Sequence, residues 1–317
     1  MPVFKIQHIT RYDYDRPVRE SVNEVRIFPY AGGEQEILQQ ELIITGHPGL
    51  HYFQDYWQNK VAVFNLAEPH MEMVIESRLT VRTNPSGPSP QHFSNGRDIL
   101  QQDVDGNIQL LELNSPDPIA GQAAIDEIVK QVDQPWKSIA TMVQECNQFI
   151  FVHFKYIKGI TDIETTVDEI LEHRSGVCQD FAHVMLQMLR TMGIPSRYVS
   201  GYICPNKNGM RGEGATHAWV EAWIPGHGWA GIDPTNNVWV TRDHVKLAVG
   251  RNFTDCTPVK GTFKGPAHQK LQVYVSVGYE DGHVFEEMNR VTMQELPSTQ
   301  PVEDLMESFD SQQQQQQ

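Results

Sequence analysis

Apolar and polar residues alternate along much of the first eighty positions. The clearest run sets Met73, Ile75, Ser77, Leu79 and Val81 against Glu72, Val74, Glu76, Arg78, Thr80 and Arg82, a period of two that gives a strand one mostly apolar and one mostly polar face. Val22 to Phe28, Ile37 to Ile44 and Val61 to Leu66 carry further strand signals, punctuated by Gly32-Gly33 and Pro48-Gly49. Residues 1–113 are therefore expected to form an antiparallel β-rich domain, with the Pro, Gly, Ser and Asn-rich stretch that starts at Asn84 as a linker or exposed loop.

Beyond residue 113 the period becomes helical. Ser115-Pro116 has the form of a cap followed by a first-turn proline, and Pro135-Trp136 reads as the opening of a second helix with Trp136, Ile139, Ala140, Val143, Asn147 and Ile150 along one stripe. Cys146 lies beside that stripe and reads as a small buried side chain. Thr166 to Glu169 has the capping-box form, opening a short helix that Gly176 can stop. Phe181, Val184, Met185, Met188, Leu189 and Met192 then recur at helical spacing up to Gly193 and Pro195, which predicts a strongly buried helix. Arg197 to Ile203 and Leu271 to Val277 read as strands. Residues 114–290 are taken as a second, catalytic domain, and residues 291–317, ending in six glutamines, as a polar disordered tail.

Composition narrows the function. Lys and Arg total 25 against 40 Asp and Glu, a formal charge of -15, which repels phosphate backbones and anionic lipid surfaces, so neither nucleic acid nor membrane is an expected partner. The start MPVFKIQHITRYDYDRP has no basic cap followed by an apolar stretch, and no eighteen apolar residues run together; an unexported, soluble protein is expected. Cys146, Cys178, Cys204 and Cys256 are widely spaced with no CxxC pair, which fits a reducing cytoplasm better than a disulfide framework or zinc ribbon. With no GxxxxGK[ST] loop and no EF-hand loop, no cofactor is expected.

Candidate chemistry centres on Cys178, in SGVCQDFAH, where the chain leaves a glycine turn and enters the buried helix. Unpaired amides and the helix dipole favour a thiolate there, although most single cysteines are packing residues. A nucleophile needs a base, and the base needs an orienting group. His217 opens an alternating run read as a strand, Pro225 to Gly228 turns the chain, and Trp229 to Ile232 return it to Asp233. Pairing Trp223 with Trp229 puts Asp233 opposite Trp219, on the face of His217, whereas pairing Ile224 with Trp229 puts it on the wrong face. The first register, or another of its parity, is expected. The same three residue types are also zinc ligands, and a lone strand histidine is more often structural. Asp180 reads as a complement to the helix dipole, Trp219 as core packing or a cover for the site, and His183 as a residue shaping the cleft or only filling space.

SGVCQDFAH, THAWVEAW and GWAGIDPTN resemble the three signature segments of bacterial transglutaminase-like proteins, in the same order. HITRYDYDRPV resembles part of that family's β-rich N-terminal region and VGRNFTDCTPVKGTF its closing motif; Cys256 stands where the family more often has an apolar residue. The resemblance implies an α+β fold, a papain-like core of helices packed on an antiparallel sheet, preceded by an antiparallel β domain. It implies Cys178 as nucleophile, His217 as base and Asp233 as orienter, acting on a peptide or protein amide through a thioester that water or an amine resolves. Peptidase, amidase and transglutaminase share this triad; a catalytically silent binding or scaffold protein of the same fold is the alternative. For the oxyanion the Cys178 amide is the first candidate donor, and Tyr156, near the place where animal transglutaminases have a tryptophan, the second. Oligomeric state is not legible.

Overall fold

The computed structural model describes residues 1–32, 34–84, 88–161, 165–204, 210–212, 216–279 and 284–285; the polar tail expected at 291–317 lies outside the described residues. The strand-rich N-terminal region is organised by β1 (Val3–Val25), which is long enough to serve two partner sets. Its first part pairs with β5 (His70–Thr83) on one side and β14 (Gln269–Tyr279) on the other, and β2 (Gln35–Ile44) extends the sheet beyond β5. Its last part pairs with β4 (Lys60–Leu66), backed by β3 (His51–Gln54), and with β13 (Val259–Lys264). The register breaks between Asp13 and Val18 and again between Arg19 and Val22, and Glu20 has φ 48°. Burial shows the consequence: even positions Phe4, Ile6, Tyr12 and Tyr14 face the core, then odd positions Ser21, Asn23 and Val25 do. Each bulged residue advances the chain by one and exchanges its faces, so one strand bends into two half-sheets.

Helices α1 (Arg97–Asp105), α2 (Ile108–Leu113), α3 (Gln122–Val132), α4 (Ile139–His153), α5 (Val167–His173) and α6 (Cys178–Thr191) follow. The two-residue strands β6 (Lys155–Tyr156) and β7 (Ser175–Gly176) pair in parallel just before α6. An antiparallel sheet in the order β11-β10-β9-β8-β12 completes the core, from β8 (Ser196–Ile203), β9 (Thr216–Ile224), β10 (Gly228–Asp233), β11 (Val238–Trp239) and β12 (His244–Gly250), and α7 (Phe253–Cys256) leads to β13. A short β15 (Val284–Phe285) pairs with β14. Ala218, Val220, Ala222 and Ile224 of β9 pack with α6 in one apolar cluster. Tyr202 of β8, Cys204 just after it, and Val245 and Leu247 of β12 belong instead to the cluster of the N-terminal sheet, so the core sheet is covered by helices on one face and by that sheet on the other.

Several sequence expectations shift. The strand at Leu271–Val277, grouped with the second region, pairs with β1, and α1 and α2, grouped with the first, bury Leu100, Val104 and Leu110 among the core helices. Alternation identifies a strand's faces, not its partner. The helix expected at Pro116 begins at Gln122, because the Ala120 and Gly121 amides are taken by the Asp168 carboxylate (3.1 and 2.6 Å). The helix expected at Trp136 begins at Ile139, where Ser138 Oγ accepts from the Thr141 amide (3.2 Å); Trp136 stands 77 % exposed outside the stripe. The capping box at Thr166 and Glu169 is present, but α5 ends at Arg174, in the left-handed region at φ 47°, before Gly176 is reached.

Candidate active site

Cys178 is the first residue of α6, directly after the β6–β7 pairing. Asp180 turns back so that its Oδ2 accepts from the Val177 amide and from Thr161 Oγ1, both at 2.6 Å, fixing the entry to the helix. Gly176 is required there, since a Cβ on it would lie 2.3 Å from the Asp180 carboxylate oxygen. The first helical bond runs from Phe181 N to Val177 O (3.1 Å), so the Cys178 amide precedes the helical ladder and is free of it. Cys178 retains 8 % of its surface, whereas Cys146 and Cys204 retain none and Cys256 1 %. Burial also pushes the thiols of Cys146, Cys204 and Cys256 up.

His217 and Asp233 meet across the β9–β10 hairpin. The register pairs Trp229 with Trp223 and Ile232 with Val220, the parity that places Asp233 beside Trp219 and diagonal to His217. His217 Nε2 lies 3.0 Å from Asp233 Oδ2, and both side chains are fully buried. Nδ1 makes no hydrogen bond, and the Cys178 sulfur acts on the charge of the same ring. Burial works against an imidazolium, but the Asp233 carboxylate and the Cys178 sulfur together outweigh it and raise His217 to about 10. Burial likewise opposes ionisation of Asp233, yet its histidine partners hold it well below the usual carboxylate range.

Asp233 is supplied with donors beyond His217. Oδ1 accepts from the Thr235 amide (2.8 Å) and the Asn236 amide (3.3 Å); Oδ2 accepts from Asn236 Nδ2 (2.8 Å) and approaches His244 Nε2 (3.4 Å). Asn236 also bonds both ways to the Arg211 backbone, its Oδ1 accepting from Arg211 N and its Nδ2 donating to Arg211 O. The next residue, Gly212, sits against the histidine: at φ +84°, a Cβ there would lie 2.8 Å from His217 Nδ1. Trp219 is buried, stacks on His217 (6.3 Å, 27°) and meets His244 edge-on (5.3 Å). Gly201 makes room for it, because a Cβ at Gly201 would come within 2.5 Å of the indole.

Asn236, Gly212 and His244 escaped the sequence reading; only Asn236, in the asparagine pair after Asp233-Pro-Thr, had a local signal as a turn donor. His183 lies elsewhere: its Nε2 accepts from the Phe253 amide (3.3 Å) and desolvation lowers it to about 4, so it serves α7 packing. Tyr156, paired with Gly176, is brought beside the start of α6, with its ring 6.2 Å from Phe181 and under the Arg211 guanidinium at 6.0 Å. The arrangement suits proton transfer: one ring nitrogen is anchored by a buried carboxylate, the other makes no hydrogen bond, and a thiol at a helix start acts on the same ring. Among the described residues no helix is long and apolar enough to cross a membrane.

Comparison with known proteins agrees with this architecture. The model of the transglutaminase-like superfamily matches residues 126–234, and that of the bacterial transglutaminase-like N-terminal region matches residues 4–82. The uncharacterized protein ML0607 of Mycobacterium leprae is 31% identical over 277 residues, 86% of this chain and 97% of that one. The uncharacterized protein Rv2569c of Mycobacterium tuberculosis is 30% identical over 274 residues, 81% of this chain and 86% of that one. A protein-glutamine gamma-glutamyltransferase of Pseudomonas aeruginosa is 33% identical over 137 residues, 42% of this chain and 20% of its own length. Among solved structures, one titled a "Putative Cysteine Protease" from Cytophaga hutchinsonii superposes with TM-score 0.71 at 21% identity, covering 92% of this chain and 96% of that one, which shows a shared fold. The chain belongs to the transglutaminase-like superfamily, with a transglutaminase-like core and a bacterial transglutaminase-like N-terminal region.

Proposed function

We propose that this protein is a cysteine-dependent hydrolase or acyltransferase acting on amide bonds of peptides or proteins, with Cys178 as nucleophile, His217 as general base and acid, and Asp233 as the group that orients His217. The observation that carries the reading is the 3.0 Å contact of His217 Nε2 with Asp233 Oδ2, with Nδ1 left unbonded and the Cys178 sulfur acting on the same imidazole. In the forward step His217 takes the Cys178 thiol proton, the sulfur bonds to the carbonyl carbon, and the carbonyl π electrons move to oxygen. Collapse of that oxyanion breaks the C–N bond, and His217 Nδ1 gives its proton to the departing amine, leaving a thioester. Water or a second amine then attacks the thioester, His217 takes the proton, and the sulfur leaves. The Cys178 amide is the first oxyanion donor, and Tyr156, held beside it by the β6–β7 pairing, the second.

Hydrolysis, or transfer to a small amine, is favoured over protein cross-linking. Water at about 55 M competes for any open thioester, and transfer to lysine wins only where the site excludes water or binds the amine. A cytoplasmic location belongs to the same reading, supported by four cysteines that are all free. The test is partitioning: a glutamine peptide is incubated with and without a labelled primary amine, and ammonia release is compared with amine incorporation. Ammonia release in excess of incorporation at millimolar amine is expected, with both absent in Cys178→Ala; excess incorporation makes the protein a transglutaminase, and turnover surviving in Cys178→Ala removes the nucleophile assignment.

A further inference from the structure

His244 opens β12 and reaches the same Asp233 oxygen, Oδ2, as His217. Its tautomer follows from its partners. The Thr241 amide donates to Nδ1 (3.4 Å), so that nitrogen is the acceptor and the proton resides on Nε2, which faces Asp233 Oδ2 (3.4 Å). A ring hydrogen-bonded at both nitrogens has one orientation, and packing supplies only part of the restraint. Beside it lies a cavity of about 30 Å³, the room of one water molecule, bordered by Glu34, Gln35, Thr83 and Lys246.

The backbone is held by the N-terminal sheet. Gln35 grips Lys246, donating from Nε2 to its carbonyl (2.8 Å) and accepting from its amide (2.9 Å), while the Tyr30 amide donates to the same carbonyl (2.9 Å). On the other side of His244, Thr83 Oγ1 donates to the Arg242 carbonyl (2.6 Å). The segment 242–246 is thus fixed at both ends by residues of the strand region that otherwise stands apart from the reacting groups.

We propose that His244 is a positioning residue for Asp233, and that the N-terminal sheet, through Gln35 and Thr83, holds it in register with the site. The inference rests on the function proposed above. A carboxylate that loses one of three donors on Oδ2 gains rotational freedom, and His217 loses part of its anchor. The charged and titratable groups that face the His244 ring are Asp233 and His217, with Glu34 and Lys246 across the cavity.

The experiment follows the rate of Cys178 alkylation by iodoacetamide at pH 7, read by peptide mass mapping on the full chain, with thermal melting in parallel. His244→Phe, which keeps bulk without a donor, is expected to slow alkylation about threefold to tenfold, the value of one hydrogen bond, and His244→Gln, which restores an N–H near the place of Nε2, to return it to within about twofold of wild type. Gln35→Leu is expected to reproduce part of the loss, and Gln35→Leu combined with His244→Phe to lose no more than His244→Phe alone. Equal rates in wild type and His244→Phe overturn the positioning role; additive losses overturn the part played by the N-terminal sheet. If His217→Ala alkylates as fast as wild type, the acyl-transfer reading itself fails, an outcome separate from either of these.

Discussion

On the N-terminal sheet, Arg82 meets Glu36 and Arg11 meets Glu72, each at 2.5 Å, with 37 to 59 % of every one of these side chains in solvent. On the five-stranded sheet, Glu221 lies only 3 % exposed between Arg197 and Lys246, and Asp233 is wholly buried between two histidines. Both regions are rich in ion pairs, but exposed pairs give up little water and gain little, whereas each buried ion loses several kcal/mol of hydration that only well-placed partners restore. Buried ionisable groups of this kind gather at functional sites and also in structural ion-pair networks, and the two are told apart by what their removal costs. The difference sets a sheet whose carboxylates are buried among fixed partners apart from a sheet whose outer charges face water.

The sharpest test of that comparison is Asp233→Asn. An amide still accepts from Thr235 and Asn236 but presents an N–H or a weaker acceptor to His217, so the imidazole loses its tautomer and its anchor. Turnover is expected to fall by about 10² to 10⁴, as for the corresponding change in serine triads, while the melting temperature falls by a few degrees at most. Steady-state kinetics alongside calorimetry check both halves; a large loss of stability with unchanged turnover makes Asp233 structural.

Glu221→Gln should behave in the opposite sense. Arg197 at 2.6 Å and Lys246 overcome the cost of burial and hold the Glu221 carboxyl at about 2, so removing its charge strands two partly buried cations. About 3 kcal/mol of stability is expected to go, measured by denaturant unfolding, with a proportionally smaller loss of turnover in the molecules that remain folded.

Dependence on pH separates these buried groups by sign. His217 is raised from 6.5 to about 10, so its contribution is complete below pH 6.5 and is lost as pH rises toward 10. Glu221 is lowered from 4.5 to about 2, so its contribution is complete above pH 4.5 and is lost as pH falls toward 2. His8 and His183, lowered by burial from 6.5 to about 4, contribute stability that is complete above pH 6.5 and is lost as pH falls toward 4, so maximum stability is expected near pH 6.5. Melting temperature scanned against pH should decline on the alkaline side, and that decline should flatten in Asp233→Asn.

Much of this division is legible in the sequence because it depends on local geometry. The hairpin register follows from parity between Trp223 and Trp229, and α6 follows from apolar spacing that ends at a glycine. What stayed hidden comes from distant chain. Asp168 delays the start of α3 from 47 residues away, β14 finds β1 across nearly the whole sequence, and the His244 donor arrives on a strand whose own pattern is that of an ordinary buried edge. No window of sequence contains those partners, and alternation is silent about which strand pairs with which.

The smallest effect is expected on the N-terminal sheet, at Glu36→Gln. Glu36 is 59 % exposed, and its ion pair to Arg82 at 2.5 Å lies on the solvent side of the β2–β5 pairing. In water the attraction between such charges is screened by salt, and two long side chains lose freedom to meet, so an exposed pair contributes at most marginally. The melting temperature should shift by no more than about 2 °C, the shift should vanish at 1 M salt, and turnover should be unchanged. A larger shift that persists in salt would mean that the outer face of the N-terminal sheet holds its charges as tightly as the core does, and the contrast between the two sheets would then be one of packing rather than of charge.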